Sequence, residues 1–152
     1  MQKKRIINLA KKIASEEHID PAIVLTIIEI ESDFDFKAVS PAGARGLMQL
    51  TPIALTDLEN RYEWNEMFDP EANIRAGVEY LKLIASRLGH KLGKPWYEMF
   101  LAPTGINLVI MAYNWGIGNV FKFLDGKIND IPDETKRYIV KFTQKYWRWY
   151  HE

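Results

Sequence analysis

The chain contains no cysteine, so it can form no disulfide bond, no thiolate nucleophile and no cysteine-ligated zinc site. Its three histidines, His18, His90 and His151, lie far apart and form no H-x-x-x-H pair, so we expect no metal site. Gly116 and Gly118 lack the third glycine and the preceding strand of a dinucleotide fingerprint. We therefore expect no cofactor of these kinds, and none is invoked below.

An excess of charge of one sign is also missing. Lys+Arg and Asp+Glu both total 20, which gives a formal net charge of zero. Proteins that hold nucleic acid through bulk charge carry an excess of Lys and Arg to neutralise phosphates. Nucleic acid is therefore not an expected partner.

Long hydrophobic runs are absent as well. No apolar run reaches the roughly 18 residues that a membrane-spanning helix needs, so no span is expected. The first residues are basic, but Asn8 and then Lys11 and Lys12 interrupt the apolar stretch too early for a signal peptide. We predict instead an amphipathic first helix with Ile6 and Ile13 on its apolar face.

Apolar residues at helical spacing dominate the rest of the chain. With 152 residues, 47% of them hydrophobic, the chain is long enough for one domain with one core, which we place at residues 1–152. No run of alternating strands is visible, and the pattern predicts an all-α fold. The predicted helices lie at about 3–17, 21–32, 70–89, 106–114, 119–124 and 133–150, with shorter ones starting at Pro52 and within 96–101.

Glu31 is the most informative residue. It ends an apolar stretch, and at helical spacing its neighbours are Ile27, Ile28 and Val24, whereas Glu29 falls on the opposite face. A carboxyl group against apolar surface has its charged form disfavoured, which keeps a proton donor available near neutral pH. A structural carboxylate that caps or pairs at a helix end is the alternative.

Four motifs in order resemble one known family. Residues 28–52 read IEIESDFDFKAVSPAGARGLMQLTP, which is similar to the E-S … S-P-x-G-A-x-G-L-M-Q signature of soluble, goose-lysozyme-like lytic transglycosylases. Residues 69–81 resemble the family's D-P … N-I … G … Y-L helix. Residues 112–114 resemble its A-Y-N turn, and residues 134–138 its E-T-x-x-Y motif. The resemblance runs from about residue 19 to the C-terminus.

The resemblance implies a lysozyme-like helical fold that cleaves the bond between N-acetylmuramic acid and N-acetylglucosamine in peptidoglycan. Glu31 would first protonate the leaving glycosidic oxygen. It would then accept a proton from the muramic C6 hydroxyl, which attacks the anomeric carbon and leaves a 1,6-anhydro end. This scheme needs one carboxyl group, whereas most glycosidases use two.

The same resemblance assigns the other site residues. The expected substrate-binding residues are Ser40, Gln49, Tyr113, Asn114, Glu134 and Tyr138. Ser32 and Met48 would support the site by packing and hydrogen bonding. The expected partner is the peptidoglycan glycan strand. We expect the protein to bind it as a monomer, in the periplasm or outside the cell. Because this sequence has no signal peptide, export would depend on a missing segment or another route.

Two alternatives remain open at this point. A hydrolytic muramidase on the same fold would use Asp33 or Asp35 to activate water, although both are also natural loop residues. A glycan-binding component of a secretion or phage-tail machine would have little turnover. The chain also departs from the family pattern at Asp35-Phe36, at Thr51 and at Trp115, which either stacks on a sugar or fills core. The aromatic run at 146–150 is most simply packing.

Overall fold

The computed structural model describes residues 2–152, and helices dominate it. Across this range the backbone forms no strand, only isolated β-bridges that join Arg45 to Val39 and to Leu50. This confirms the all-α prediction. The α-helices are α1 (Lys3–Glu16), α2 (Pro21–Ser32), α3 (Pro52–Asp57), α4 (Pro70–Leu92), α5 (Pro103–Trp115), α6 (Ile117–Leu124) and α7 (Asp133–Tyr150), and 3₁₀ helices lie at Trp64–Phe68 and Trp96–Phe100.

Side-chain caps followed by proline set where several helices begin. The Asp20 carboxylate accepts a hydrogen bond from the Ala22 N–H at 2.9 Å, directly before α2. Asp69 caps α4 in the same way, through a 2.9 Å bond from the Ala72 N–H. Proline suits the position after the cap because its missing N–H would have no partner there. The start of α2, and so the place of Glu31 along it, is therefore fixed locally.

The predicted end of α4 at Gly89 is wrong. The helix continues to Leu92, and Gly93 makes the turn that ends it, with φ at 74°. The Lys94 N–H then returns to the Gly89 carbonyl at 2.7 Å. A Cβ on Gly89 would overlap the Lys94 carbonyl oxygen. Glycine at this position therefore allows the Lys94 backbone to pack closely against the helix. The prediction took a packing glycine for a terminating one.

Other boundaries differ by a few residues. Helix α5 begins at Pro103 rather than 106, since proline fits the first helical position, and α6 begins at Ile117 rather than 119. The 3₁₀ helix at Trp64–Phe68 was not predicted. With five residues, the segment is too short for a hydrophobic period to be recognised in the sequence.

Replacing Gly93 with alanine should lower the free energy of unfolding by about 1–2 kcal/mol, the cost of a left-handed conformation for an L-residue. No atom lies within 4 Å of a Cβ placed there, so the cost comes from the backbone alone. Gly118→Ala is the matched control, because it is equally uncrowded but lies within helix α6. Urea denaturation should show no loss, or a small gain, for this control. Equal losses in both variants would contradict the backbone explanation.

The chain folds into two compact units. The first comprises the chain up to Tyr80 together with residues 148–152, and the second comprises Leu81–Trp147. In the first unit α1 packs against α2, and its fully buried side chains include Ile6, Ile13, Ile23, Ile27 and Ile28. In the second unit α5 packs against α6 and the 3₁₀ helix at Trp96–Phe100, with Val109, Ile110, Val120 and Met99 buried. The expectation of one domain over residues 1–152 stays a prediction.

Over residues 2–152, no helix combines the length and the apolarity needed to cross a bilayer.

Candidate active site

Glu31 lies at the exit of an apolar helix, in the first unit. It is the last residue but one of α2, whose residues 22–28 are all buried. Ile27 and Ile28, one turn before it, are completely buried, whereas Glu31 is half-buried. The helix ends where Asp33 adopts a left-handed conformation and its N–H donates to the Glu29 carbonyl at 3.0 Å. Glu31 therefore combines an apolar neighbourhood with access to solvent.

Ser32 connects this helix end to the next motif along the chain. Its hydroxyl lies 2.8 Å from the Leu47 carbonyl oxygen and 3.1 Å from that of Ile28. Donation to Leu47 ties the residue after Glu31 to a segment 15 residues away in sequence. The structure thus brings together the Glu31-Ser32 pair and the Gly46–Gln49 segment.

Asn73, on the first turn of α4, fixes the Gly46–Gln49 segment. Its side chain is 1% exposed, and Oδ1 accepts the Met48 N–H at 2.8 Å. Its Nδ2 donates to the carbonyl oxygens of Arg45 at 3.0 Å and Met67 at 2.9 Å. One buried amide therefore satisfies the Met48 N–H and the Met67 carbonyl, and adds a second bond to the Arg45 carbonyl, which also accepts the Leu50 N–H at 3.0 Å. Its position in the D-P … N-I motif was visible in the sequence, but its role was not.

Two glycines allow this segment to pack so closely. A Cβ on Gly77 of α4 would overlap the Met48 side chain, which is completely buried. A Cβ on Gly46 would overlap the Met67 carbonyl oxygen and the Asn73 amide, and Gly46 also has φ at 78°. Met48 therefore packs into the space that Gly77 leaves open, and its supporting role in a site stays a prediction.

Ser40 lies in a tight turn and is half-buried. Its Oγ accepts the Ala44 N–H at 3.0 Å, and its own backbone N–H donates to the Ala44 carbonyl at 3.0 Å. A hydroxyl that accepts one bond still has a proton to donate. The turn orients Ser40 and leaves it able to donate to a ligand oxygen.

Gln49 is oriented by its own amide. Its Nε2 donates to the carbonyl oxygens of Gly46 at 2.9 Å and Ala38 at 3.1 Å, and its backbone has φ at 55°. Both amide hydrogens are thus directed at the protein, and the Oε1 oxygen is the group suited to accept from a hydroxyl or an N-acetyl N–H. A non-glycine residue at positive φ is uncommon and clusters at functional sites.

The two carboxylates that could assist water differ in their surroundings. Asp35 accepts the Lys37 N–H at 2.9 Å, which closes a local turn and makes it a loop-forming residue. Asp33 is the left-handed residue that terminates α2. Both side chains are exposed to solvent.

The second unit holds the remaining predicted residues. Tyr113 and Asn114 lie on the last turn of α5 and are half-buried. The Asn114 Oδ1 accepts the Thr135 hydroxyl proton at 2.8 Å, and Thr135 is 2% exposed. This bond joins the A-Y-N turn to the E-T-x-x-Y motif. Thr135 was not predicted as a site residue, although its spacing places it on the same helix face as Tyr138.

Glu134 and Tyr138 occupy different environments on α7. Glu134 is exposed on the first turn, whereas Tyr138 is only 7% exposed. Tyr138 therefore offers a ligand little more than one edge. The Trp115 ring lies 6.5 Å from the Phe123 ring in an edge-on arrangement, which accounts for part of its surface by packing within this unit.

Metal binding finds no support in the geometry. Among residues 2–152, no group of three or more histidine, aspartate and glutamate side chains is arranged to hold an ion.

Comparison with known proteins identifies the family. The family model "Transglycosylase SLT domain" matches residues 8–130. The chain therefore belongs to the transglycosylase SLT domain family. Over 151 residues it is 28% identical to the membrane-bound lytic murein transglycosylase C of Actinobacillus pleuropneumoniae, covering 90% of this chain and 40% of that protein. It is 32% identical over 125 residues to the protein of the same name from Histophilus somni, covering 78% and 32% respectively.

Solved structures support the same fold. The 70 kDa soluble lytic transglycosylase of Escherichia coli superposes with a TM-score of 0.69 at 26% identity, covering 95% of this chain and 24% of that one. An inactive mutant of the lytic transglycosylase Slt from Pseudomonas aeruginosa gives a TM-score of 0.72 at 22% identity, covering 93% and 23%. The predicted transglycosylase fold is thereby confirmed. The chain spans less than half the length of these relatives.

Proposed function

We propose that this chain cleaves peptidoglycan glycan strands as a lytic transglycosylase, with Glu31 as both acid and base. The supporting observation is the position of Glu31. It is a half-buried carboxyl residue at the exit of a helix whose residues 22–28 are all buried, beside a loop held by Ser32 and Asn73. The family match and the names of the relatives agree with this chemistry.

The proposed cleavage has two steps, and Glu31 donates one proton in the first and accepts one in the second. In the first, the Glu31 carboxyl donates its proton to the glycosidic oxygen, and the bond between that oxygen and the muramic anomeric carbon breaks. In the second, the Glu31 carboxylate accepts the proton of the muramic C6 hydroxyl, whose oxygen bonds to the anomeric carbon. Glu31 ends protonated, no water is consumed, and one general acid–base group suffices.

The remaining residues are proposed to bind or support. Ser40 donates to a substrate oxygen and Gln49 accepts through Oε1, as their internal hydrogen bonds favour. Ser32 and Met48 hold the loop beside Glu31. On the second unit we propose substrate contacts by Tyr113, Asn114, Glu134 and an edge of Tyr138. We further propose that the chain acts as a monomer on the periplasmic or extracellular wall, where this substrate lies.

Digestion of purified cell-wall sacculi tests this function. Mass spectrometry of the released muropeptides should show 1,6-anhydro ends, whose masses are one water lower than those of reducing ends. Reducing ends in their place would identify a hydrolase and point to water activation by another group. Binding without release of fragments would identify a glycan-binding module. A Glu31→Gln preparation purified in parallel reports any contaminating activity.

A further inference from the structure

A second half-buried carboxylate of α2, that of Glu29, plays no part in the proposed chemistry. The Glu29 side chain is 13% exposed, and its Oε1 accepts the indole N–H of Trp149 at 2.9 Å. The Arg148 guanidinium bonds to the same oxygen, and this bond raises the pKa of Arg148, so the guanidinium stays charged. Burial of a carboxylate is unfavourable unless it is paired and hydrogen-bonded. Arg148 and Trp149, at the end of α7, provide these interactions.

Trp149 makes a second contact, just beyond the end of α2. Its ring lies 5.9 Å from the ring of Phe34, which is 7% exposed and also has the Lys3 ammonium 4.9 Å from its centroid. Asp33 and Phe34 are consecutive non-glycine residues at positive φ, 49° and 65°. Non-glycine residues in this conformation are strained and persist only where their surroundings hold them. Trp149 is one of the groups that holds this turn.

Glu31 lies between the two points that Trp149 contacts. Glu29 precedes it by two residues and Phe34 follows it by three. We propose that Trp149 and Arg148 are positioning residues that fix the last turn of α2 and thereby aim the Glu31 carboxyl. Together with Glu29 they are called the C-terminal clamp below. The inference rests on the proposed role of Glu31.

The clamp lies partly outside the region that defines the family. The family model matches residues 8–130, whereas Arg148 and Trp149 come near the end of the chain. The partners of Glu29 are 119 and 120 residues away in sequence. Arg148 and Trp149 therefore lie outside the matched region, whereas Glu29 lies within it.

Loosening the clamp should affect catalysis more than binding. Misplacement of a catalytic group by about 1 Å can cost up to about 100-fold in rate. The clamp is proposed to act on the position of Glu31 and not on the groups that bind substrate, so kcat should fall while KM stays nearly constant. Loss of an interaction used only in the transition state has this signature.

The test compares Trp149→Phe, which removes the indole N–H and keeps an aromatic ring, with Trp147→Phe. Trp147 lies on the same helix and is 68% exposed, so it is a matched control. Trp149→Phe should lower kcat per folded molecule about tenfold with KM within about twofold, and Trp147→Phe should change neither. Circular dichroism at the assay temperature gives the folded fraction.

A second pair of variants separates positioning from folding. Glu29→Gln keeps an oxygen for the Trp149 N–H, whereas Glu29→Leu removes it, so Glu29→Gln should retain several-fold more kcat. Arg148→Gln changes a side chain that is 54% exposed and offers a clamp variant with little risk of misfolding. Its kcat should fall less than that of Trp149→Phe.

Wild-type kcat per folded molecule in Trp149→Phe and Glu29→Leu would overturn the clamp, even if both lower the melting temperature. That result would leave the role of Glu31 intact, provided that Glu31→Gln is inactive. Full activity of Glu31→Gln would instead remove the proposed function, and with it the basis of the clamp.

Discussion

Glu31→Gln should abolish cleavage of glycan strands, lowering kcat by about 10²–10⁴-fold or more, the range for loss of a general acid–base group. The amide has nearly the shape of the carboxyl group, but it can neither protonate the leaving oxygen nor accept a proton from the C6 hydroxyl. Release of soluble muropeptides from sacculi measures the effect. Binding to insoluble sacculi should be retained, because the substrate-binding residues are unchanged.

The control for this variant is Glu59→Gln, which removes an exposed carboxylate in the same unit. Its cleavage rate should match that of the wild type. Glu31→Gln activity within a few-fold of wild type would show that the acid lies elsewhere in the chain. Loss of sacculus binding in Glu31→Gln would show that the substitution disturbs the fold.

Asn73→Ala should lower the free energy of unfolding by about 2 kcal/mol or more. The substitution leaves the Met48 N–H and the Met67 carbonyl oxygen without the amide that bonds them, whereas the Arg45 carbonyl keeps its bond from the Leu50 N–H. Each buried group left unsatisfied costs about 1–3 kcal/mol, and water entering the gap recovers only part of this. Urea denaturation followed by circular dichroism measures the change.

Asn65→Ala is the matched control, because Asn65 is an exposed asparagine in the 3₁₀ helix that includes Met67. Its free energy of unfolding should lie within about 0.5 kcal/mol of wild type, as for most surface substitutions. A loss below about 1 kcal/mol in Asn73→Ala would mean that the Met48 N–H and the Met67 carbonyl find other partners. The Asn73 amide would then be no anchor of the loop.

Local signals predicted the helix that carries Glu31. Asp20 and Pro21 mark its start, and the apolar run that follows is long enough to specify a buried helix. The same kind of signal gave a wrong helix end at Gly89. In a sequence, a glycine that ends a helix cannot be distinguished from one that lets a neighbouring backbone pack closely. Only the position of Lys94, folded back on the helix, distinguishes the two.

Roles that depend on distant partners were not predictable from the residues alone. Asn73 is recognisable as part of a motif, but its function depends on backbone groups 6, 25 and 28 residues away. Glu29 was assigned only to the face opposite Glu31, and its partners lie at the other end of the chain. Sequence periodicity assigns a residue to a face of its own helix and carries no information about which element covers that face.

The measurement that tests the central claim most directly is cleavage of defined glycan strands in water enriched in heavy oxygen. If Glu31 transfers the proton of the C6 hydroxyl and that oxygen attacks the anomeric carbon, the cleaved ends carry no heavy oxygen, and the masses of the two products sum to that of the strand. Heavy oxygen at the new muramic end, with a summed mass one water higher, would contradict the account.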